Sequence, residues 1–379
     1  MKRIAFVLNL VNKAAGLERA VVNIANSLSK DENLEIIIVS IFTEKGSIPY
    51  YPIDSKVRII NLGFEKAKNK LLAALTYFRI RDALERIIKE EKISLMIGTL
   101  SVHSYLLLSI RQKCKYIAWE HSNYNAISWK NRLIRRFTYR LLDSVIVLTQ
   151  ADYEKFNFIK SNRLHVIPNM CFFNRIEKAD LNRKRIISVG RLSSEKGYDI
   201  LLRVAKLVQP KLKGWVIDIY GEGEMEGSLL KQRRMLGLES FVNFNKPVKN
   251  IKKEYLGSSI YLMTSRREGF PLVLVEAKTV GLPSISFDCP SGPKYIINNN
   301  KDGYLIKPYD EDDMAEKIIK LGENNILRKK FGDSAYESAC LYSEEAVISQ
   351  WKNVFDKLEL NSKKVDESNY ITGFRFFIL

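Results

Sequence analysis

The sequence predicts an α/β protein built from two open, parallel-sheet domains. Short apolar runs alternate with amphipathic stretches of helical length along most of its 379 residues. This alternation is typical of strands joined by crossover helices on a parallel sheet. A polar stretch without periodicity, residues 174–184 (NRIEKADLNRK), interrupts the pattern, which then restarts. We therefore predict a first domain over residues 1–173, a linker over 174–184, a second domain over 185–342, and a last helix with a tail over 343–379.

The elements of the first domain follow from its apolar runs, which are short and bounded by polar or turn residues. The predicted strands are residues 4–10, 34–42, 57–62, 94–100, 116–120, 144–149 and 164–168. Between them, helical periodicity is clear over residues 17–29, 71–89 and 130–142.

The second domain repeats the same alternation. Its predicted strands are residues 185–190, 215–220, 241–245, 259–264, 283–287 and 303–307. Its predicted helices are residues 197–209, 224–236, 271–280, 312–321 and 344–358. Because open parallel sheets bind ligands at the carboxyl ends of their strands, we expect the two sheets to face a central cleft that holds the ligand.

Composition and charge favour an anionic binding partner and disfavour several classes of protein. The chain carries 61 Lys and Arg against 43 Asp and Glu, a net charge of +18. Residues 1–170 hold 27 of the basic and 15 of the acidic residues, so most of the excess lies in the first domain. A basic surface favours an anionic partner such as a membrane, a phosphorylated substrate or a nucleic acid. The four cysteines are far apart, which disfavours a disulfide framework or a structural zinc site and suggests the reducing cytoplasm. We also expect no signal peptide and no membrane span.

The segment 265–282 (SRREGFPLVLVEAKTVGL) is the most informative about function, because it combines a predicted helix start with two carboxylates. Pro271 stands where a helix is predicted to begin, and a helix start offers free N–H groups to a phosphate or sugar oxygen. Glu268 precedes that helix and Glu276 lies one and a half turns into it, so both could face one cleft. The spacing alone leaves a simpler alternative, in which Glu276 is a surface residue and Glu268 a helix cap.

Five ordered motifs together resemble the retaining glycosyltransferases of family 4, which have the GT-B fold of two Rossmann-like domains. Residues 268–276 (EGFPLVLVE) resemble the family's Glu-x7-Glu motif, and residues 186–197 (IISVGRLSSEKG) its Gly-Arg-Leu-x3-Lys-Gly segment. Residues 166–169 (VIPN) match the segment before its linker. Residues 15–19 (AGLER) resemble its N-terminal glycine loop, with Ala15 in place of the usual first glycine. Residues 288–297 (DCPSGPKYII) are similar to bacterial members that build surface polysaccharides.

The resemblance implies that the C-terminal helix, within residues 343–379, crosses back to the first domain. It also implies roles for individual residues. Arg191 and Lys196, five residues apart after a strand, would clamp the diphosphate of the donor, and Glu276 would hold its ribose hydroxyls. His121, which could equally be structural, would lie beside the donor sugar. The predicted catalytic residues are His121, Arg191, Lys196 and Glu268. The predicted donor-binding residues are Gly16, Gly221, Gly269, Phe270, Pro271, Leu272 and Glu276.

Two basic, aromatic-rich stretches in the first domain suggest contact with an anionic membrane. In residues 129–140 (WKNRLIRRFTYR) the predicted contacts are Trp129, Lys130, Arg132, Arg135 and Arg136. The second stretch combines Leu71, Leu72, Leu75 and Phe78 with five basic residues: Lys66, Lys68, Lys70, Arg79 and Arg81. Each stretch could instead be a solvated helix face over a core stripe. The sequence does not decide whether the aromatic tail 373–379 (GFRFFIL) also contacts the membrane.

The sequence therefore predicts a cytoplasmic glycosyltransferase at the inner face of the membrane. It would transfer a hexose or N-acetylhexosamine from a UDP-sugar, with retention, to a lipid-linked or polysaccharide acceptor. The donor is a substrate, and no cofactor or metal is expected; the acidic run 310–312 is interpreted as a helix cap. The alternatives are a UDP-sugar 2-epimerase on the same fold and a non-enzymatic basic protein that binds membrane or nucleic acid. The sequence contains no recognised nucleic-acid motif that would support nucleic-acid binding.

Overall fold

The computed structural model describes residues 1–13, 15–110, 112, 114–121, 124, 128–173, 177–290 and 292–362. The chain forms two compact units. Unit 1 combines the described residues of Met1–Asn169 with those from Val347 to Ser362, and unit 2 comprises the described residues of Met170–Ala346. Part of the expected linker, residues 174–176, and the aromatic tail lie outside the described residues.

Unit 1 contains a seven-stranded, fully parallel sheet with the order β3-β2-β1-β4-β5-β6-β7. Its strands are β1 (Lys2–Leu8), β2 (Leu34–Ser40), β3 (Val57–Asn61), β4 (Leu95–Gly98), β5 (Lys115–Trp119), β6 (Ser144–Val147) and β7 (Leu164–Val166). Its helices are α1 (Gly16–Leu28), α2 (Lys70–Glu90), α3 (Ser101–Leu108), α4 (Trp129–Thr138) and α5 (Gln150–Lys155). All seven predicted strands are present, each within a few residues of its expected bounds.

Unit 2 has a six-stranded parallel sheet with the order β10-β9-β8-β11-β12-β13. Its strands are β8 (Arg185–Val189), β9 (Val216–Tyr220), β10 (Val242–Asn245), β11 (Ile260–Met263), β12 (Ser284–Phe287) and β13 (Gly303–Ile306). Its helices are α6 (Tyr198–Val208), α7 (Glu226–Met235), α8 (Ile251–Leu256), α9 (Leu272–Thr279), α10 (Glu311–Glu323) and α11 (Asn325–Ser338), followed by α12 (Glu344–Ser362).

The last helix returns to unit 1, as the sequence predicts. Trp351 on α12 is completely buried, with its ring centroid 6.2 Å from that of Phe6 on β1 and 4.9 Å from that of Trp119 on β5. Edge-to-face aromatic contacts of this kind add to the stabilisation from burying large rings. Helix α12 is therefore part of the core on one side of the first sheet.

The opposite side of that sheet is covered by α2, α3 and α4. Alternate residues of each strand point to one face of a sheet, and the core on this face joins Val7 and Met96 to Leu84 of α2, Leu107 of α3 and Tyr139 just after α4. The three helices therefore lie on the same face of unit 1, with α3 in contact with both of the others.

Four helices were not expected from the sequence: α3, α5, α8 and α11. Three of them are short, with eight residues or fewer. Helix α3 (SVHSYLLL) is apolar on nearly every side, and a short run of that kind cannot be distinguished from a strand by its periodicity.

Candidate functional site

Several predicted residues of unit 2 meet at the carboxyl edge of its sheet. The loops after β8 and β11 start from adjacent strands at the position where the strand order reverses. In doubly wound sheets such a switch point forms a crevice at the strand ends, where ligands bind. Arg191 and Lys196 lie in the first loop, and Glu268 lies in the second.

An ion pair joins the two loops. Lys196 Nζ lies 2.6 Å from Glu268 Oε1, and Ser265 Oγ donates a hydrogen bond of 2.7 Å to the same carboxylate oxygen. The Lys196 side chain retains about a quarter of its accessible surface. The structure thus brings together two predicted catalytic residues that are 72 positions apart in the sequence. Ser265 was not predicted; its place three residues before Glu268 was the available signal.

A glycine allows these two loops to approach each other closely. Gly197 has φ +67°, and a Cβ added there would lie 2.2 Å from the Thr264 carbonyl oxygen. Thr264 Oγ1 also donates to the Gly197 carbonyl, at 2.9 Å. Only glycine combines a left-handed backbone with such a close approach at little cost. Lys196, the preceding residue, is thereby fixed against the end of β11.

The turn after β9 packs on the loop after β8. A Cβ on Gly221 would lie 1.9 Å from the Gly190 carbonyl oxygen, and one on Gly223 would lie 2.5 Å from that of Leu192. The predicted donor-binding residue Gly221 therefore supports the backbone that carries Arg191, whose side chain is exposed.

The loop after β12 contacts the turn at Glu268–Pro271. A Cβ on Gly292 would lie 2.7 Å from Pro271 Cδ and 3.2 Å from the Gly269 carbonyl oxygen. Phe270 is partly buried, with its ring edge-to-face with Tyr342 at 6.0 Å between centroids. Helix α9 begins at Leu272 with Pro271 as its N-cap residue, so Pro271 stands one position earlier than expected.

Glu276 is buried on α9, and this removes the interpretation of it as a surface helix residue. Its Oε2 accepts a hydrogen bond of 3.0 Å from the Tyr255 hydroxyl. Burial raises the pKa of the Tyr261 hydroxyl well above its ordinary value, and Tyr198, Glu268 and Glu276 raise it further. Both carboxylates of the Glu-x7-Glu motif are therefore within electrostatic reach of one phenol.

Two of the predicted site residues, His121 and Gly16, belong to unit 1. The His121 imidazole lies 4.3 Å from the Trp119 ring, centroid to centroid, and burial lowers its pKa to about 3. The ring is therefore neutral at pH 7. Gly16 is the first residue of α1, and a Cβ added there would meet nothing within 4 Å. Glu18, two residues later, is buried, and burial raises the pKa of its carboxyl group.

The prediction of Arg135 as a membrane contact is wrong. Its side chain is completely buried and lies 3.1 Å from Glu120 Oε2, and its guanidinium also donates to Ser101 Oγ. Trp129, Lys130 and Arg136 are exposed, and Arg132 is partly exposed.

The acidic run 310–312 caps a helix, as expected. Asp310 Oδ1 accepts from the Asp313 amide at 3.1 Å, and Glu311 pairs with Arg203 at 2.6 Å. Within the described part of the chain, no group of three or more His, Cys, Asp or Glu side chains could hold a metal ion. A search of the same residues finds no helix long and apolar enough to cross a membrane.

Comparison with known proteins identifies the family to which the chain belongs. A family model described as glycosyltransferase family 4 matches residues 14–171, and one described as glycosyl transferases group 1 matches residues 172–338. An uncharacterized glycosyltransferase of Haemophilus influenzae is 32% identical over 368 residues, which cover 93% of this chain and all of the relative. The chain belongs to the family 4 glycosyltransferases and is an enzyme of that class.

Two further similar proteins are described with a named acceptor or with bound molecules. An α-1,4-N-acetyl-D-galactosaminyltransferase of Campylobacter jejuni, whose named acceptor is a glycan on PP-undecaprenol, is 27% identical over 93% of this chain and 97% of its own length. A crystal structure of Staphylococcus aureus TarM in complex with fondaparinux, α-GlcNAc-glycerol and UDP superimposes with a TM-score of 0.79 at 19% identity, covering 94% of this chain and all of TarM. This structural similarity shows the GT-B fold of two Rossmann-like domains.

Proposed function

We propose that this glycosyltransferase takes a hexose or N-acetylhexosamine from a UDP-sugar and transfers it, with retention of configuration, to a lipid-linked or polysaccharide acceptor. The observation that carries the proposal is the Lys196–Glu268 pair at the switch point of the second sheet. The pair supports the proposal because the cation suits a diphosphate, the carboxylate suits sugar hydroxyl groups, and switch points of this kind bind ligands.

The roles of the residues follow from their chemistry. Lys196 and the exposed Arg191 would stabilise the negative charge that develops on the departing diphosphate, which supplies the positive charge without a metal ion or cofactor. Glu268 would accept hydrogen bonds from the sugar, and Glu276 from the ribose. When a donor binds, the Lys196–Glu268 contact can be exchanged for contacts to phosphate and sugar.

The proposed chemistry is front-face attack. The acceptor hydroxyl oxygen bonds to the anomeric carbon while the bond from that carbon to the diphosphate breaks, and the hydroxyl proton passes to a diphosphate oxygen. His121, neutral at pH 7, would orient the sugar. The acceptor named for the Campylobacter enzyme supports a polyprenyl-diphosphate acceptor for bacterial surface glycan synthesis. The UDP and α-GlcNAc-glycerol bound to the Staphylococcus protein support a UDP-linked N-acetylhexosamine donor. Such an acceptor would place the enzyme at the cytoplasmic face of the membrane.

The test is a panel of UDP-hexoses and UDP-N-acetylhexosamines incubated with the chain and undecaprenyl-diphosphate oligosaccharides. UDP release is measured, and the anomeric configuration of the product is followed by NMR. We expect one donor to be preferred and its configuration to be retained. Glu276→Gln should raise KM for the donor about tenfold or more, because a neutral amide replaces the acceptor of two hydroxyl hydrogen bonds. Glu323→Gln on α10 is the matched control, since Glu323 is distant in sequence from every site motif. An inverted product, or no dependence on UDP-sugars, would contradict the proposal.

A further inference from the structure

Helix α4 has its apolar stripe on the outside. Trp129, Leu133 and Phe137 occur at intervals of four residues, so they follow one side of the helix, and about half or more of each side chain is exposed. At 100° per residue, Arg135 lies roughly opposite the centre of this stripe. Amphipathic helices of globular proteins normally place the apolar side inward. Among the described residues, the outward apolar side of α4 is left largely exposed.

A buried polar network fixes this orientation. Arg135 pairs with Glu120, which follows β5, and the Tyr139 hydroxyl donates to the other oxygen of that carboxylate. The guanidinium carbon also lies 5.9 Å from the Tyr124 ring and 5.6 Å from the Phe156 ring. A charge that is paired and surrounded by rings in this way cannot exchange places with the exposed stripe without losing its partners.

Helix α2 carries a second outward stripe. Leu71, Leu75 and Phe78 recur at helical spacing and are each more than half exposed, whereas Leu84 and Ile87 on the other side are buried. Because α2, α3 and α4 cover the same face of the first sheet, both stripes point away from it.

Basic side chains surround both stripes. The Arg81 guanidinium lies 5.2 Å from the Phe78 ring, and the Lys130 ammonium lies 5.9 Å from the Trp129 ring. We define the docking face as the two stripes with the exposed or partly exposed basic residues that neighbour them in the sequence: Leu71, Leu75, Phe78, Trp129, Leu133 and Phe137, with Lys66, Lys68, Lys70, Lys130, Arg132 and Arg136.

We infer that the docking face binds the surface of an anionic lipid bilayer. Its aromatic and aliphatic side chains would enter the boundary between headgroups and acyl chains, and its lysines and arginines would lie among the phosphates. A second copy of the chain fits poorly, because a two-fold interface would place one basic surface against another. A nucleic acid would leave the apolar stripes without a partner. The inference uses no residue of the donor site and stands apart from the proposed function.

The experiment is sedimentation of the full chain with vesicles of phosphatidylcholine alone and of phosphatidylcholine with 30% phosphatidylglycerol. We expect binding to the anionic vesicles that weakens with salt, and little binding to the neutral ones. Leu75→Glu with Leu133→Glu should reduce binding at least tenfold, as should Lys130→Gln with Arg136→Gln. The matched controls are Ile326→Glu and Lys330→Gln on α11 in unit 2, where Ile326 is 84% exposed and Lys330 is exposed. The controls should bind as the unaltered chain does.

Thermal unfolding verifies that each variant is folded, and analytical ultracentrifugation gives its oligomeric state. Equal binding to neutral and anionic vesicles, or equal losses in the control variants, would overturn the inference. It would also be overturned if the chain binds no vesicles, or if Leu75→Glu with Leu133→Glu dissolves a dimer and leaves vesicle binding unchanged. UDP-sugar hydrolysis and transfer to a soluble acceptor test the donor site separately, so failure of one proposal is distinguishable from failure of the other.

Discussion

Units 1 and 2 share a strand order around their switch points, but the chemistry at the two sheet edges differs. In unit 1 the ion pair Glu120–Arg135 is completely enclosed, and the nearby His103 is buried with its Nε2 2.9 Å from Asn9 Oδ1. In unit 2 the Lys196–Glu268 pair remains partly accessible to solvent. The enclosed pair fixes a helix, whereas the accessible pair remains open to the ligand that we propose for it.

The sharpest test of this comparison is to break the enclosed pair. Arg135→Met leaves the Glu120 carboxylate buried without its cation, so we expect a loss of about 3–5 kcal/mol in the free energy of unfolding. Urea unfolding followed by tryptophan fluorescence measures it, since three of the four tryptophans, Trp119, Trp129 and Trp351, lie in unit 1.

The control for that prediction is Lys178→Met. It breaks a pair with Asp333 whose side chains are both about half exposed, and should cost no more than about 1 kcal/mol. Adding Glu120→Gln to Arg135→Met should recover part of the loss, because the buried charge is removed. Equal costs at Lys178 and Arg135 would contradict the distinction between the two kinds of pair.

Breaking the accessible pair should affect turnover more than stability. Lys196→Ala removes the cation proposed to stabilise the departing diphosphate, so kcat should fall by about 10²–10³. The free energy of unfolding should change by no more than about 1 kcal/mol. Steady-state UDP release gives kcat, with Lys206→Ala on the exposed side of α6 as the matched control. Activity within twofold of the unaltered enzyme would remove Lys196 from the catalytic set.

The glycines of the two units should also respond differently to an added methyl group. Gly221→Ala places a Cβ against the Gly190 carbonyl oxygen and forces the loop that carries Arg191 to move. We expect a loss of about 1–3 kcal/mol in stability and a higher KM for the donor. Gly16→Ala finds open space and should change stability by no more than about 0.5 kcal/mol. If Gly16→Ala raises KM for the donor as strongly as Gly221→Ala does, then the space beside Gly16 is used by the ligand.

Acid should weaken unit 1 more than unit 2, because all three histidines lie in unit 1. Burial lowers the pKa of His103 to about 3, from an ordinary value of 6.5. Below pH 6.5 the His103 imidazole is protonated in the unfolded chain but stays neutral in the folded chain. The free energy of unfolding therefore decreases as the pH falls from 6.5 toward 3. The slope is about 1.4 kcal/mol per pH unit for one such histidine.

His103→Gln tests this prediction, because the amide retains hydrogen-bonding capacity without titrating. Its unfolding free energy, measured by urea at pH 7, 6 and 5, should decline less steeply than that of the unaltered chain. Parallel pH profiles for the two proteins would show that His103 is not the titrating group.

The strands and the family motifs could be recognised because they depend on local sequence. Apolar runs bounded by turn residues located all thirteen strands, and the motif Glu268–x7–Glu276 was visible without a structure. Short helices such as α3 were not predicted, because an apolar eight-residue segment has no periodicity that excludes a strand.

Arg135 shows where sequence reasoning fails. Within residues 129–140 it is one of five cationic residues, and nothing local separates it from Arg136. Only packing on β5 shows that Arg135 faces Glu120, fifteen positions earlier, while Arg136 is exposed. A charge pattern gives the number of cations on a helix, but their partners determine which of them are available to a membrane.

The periodicity of neighbouring residues was enough to predict the two parallel α/β units. The motifs carried the resemblance to family 4, and that resemblance implied the returning helix. Only the folded chain shows that Lys196 meets Glu268, that Glu276 is buried, and that α4 turns its apolar stripe outward. Each of these depends on contacts between residues distant in the chain. Such contacts are set by the packing of whole elements, which no local pattern records.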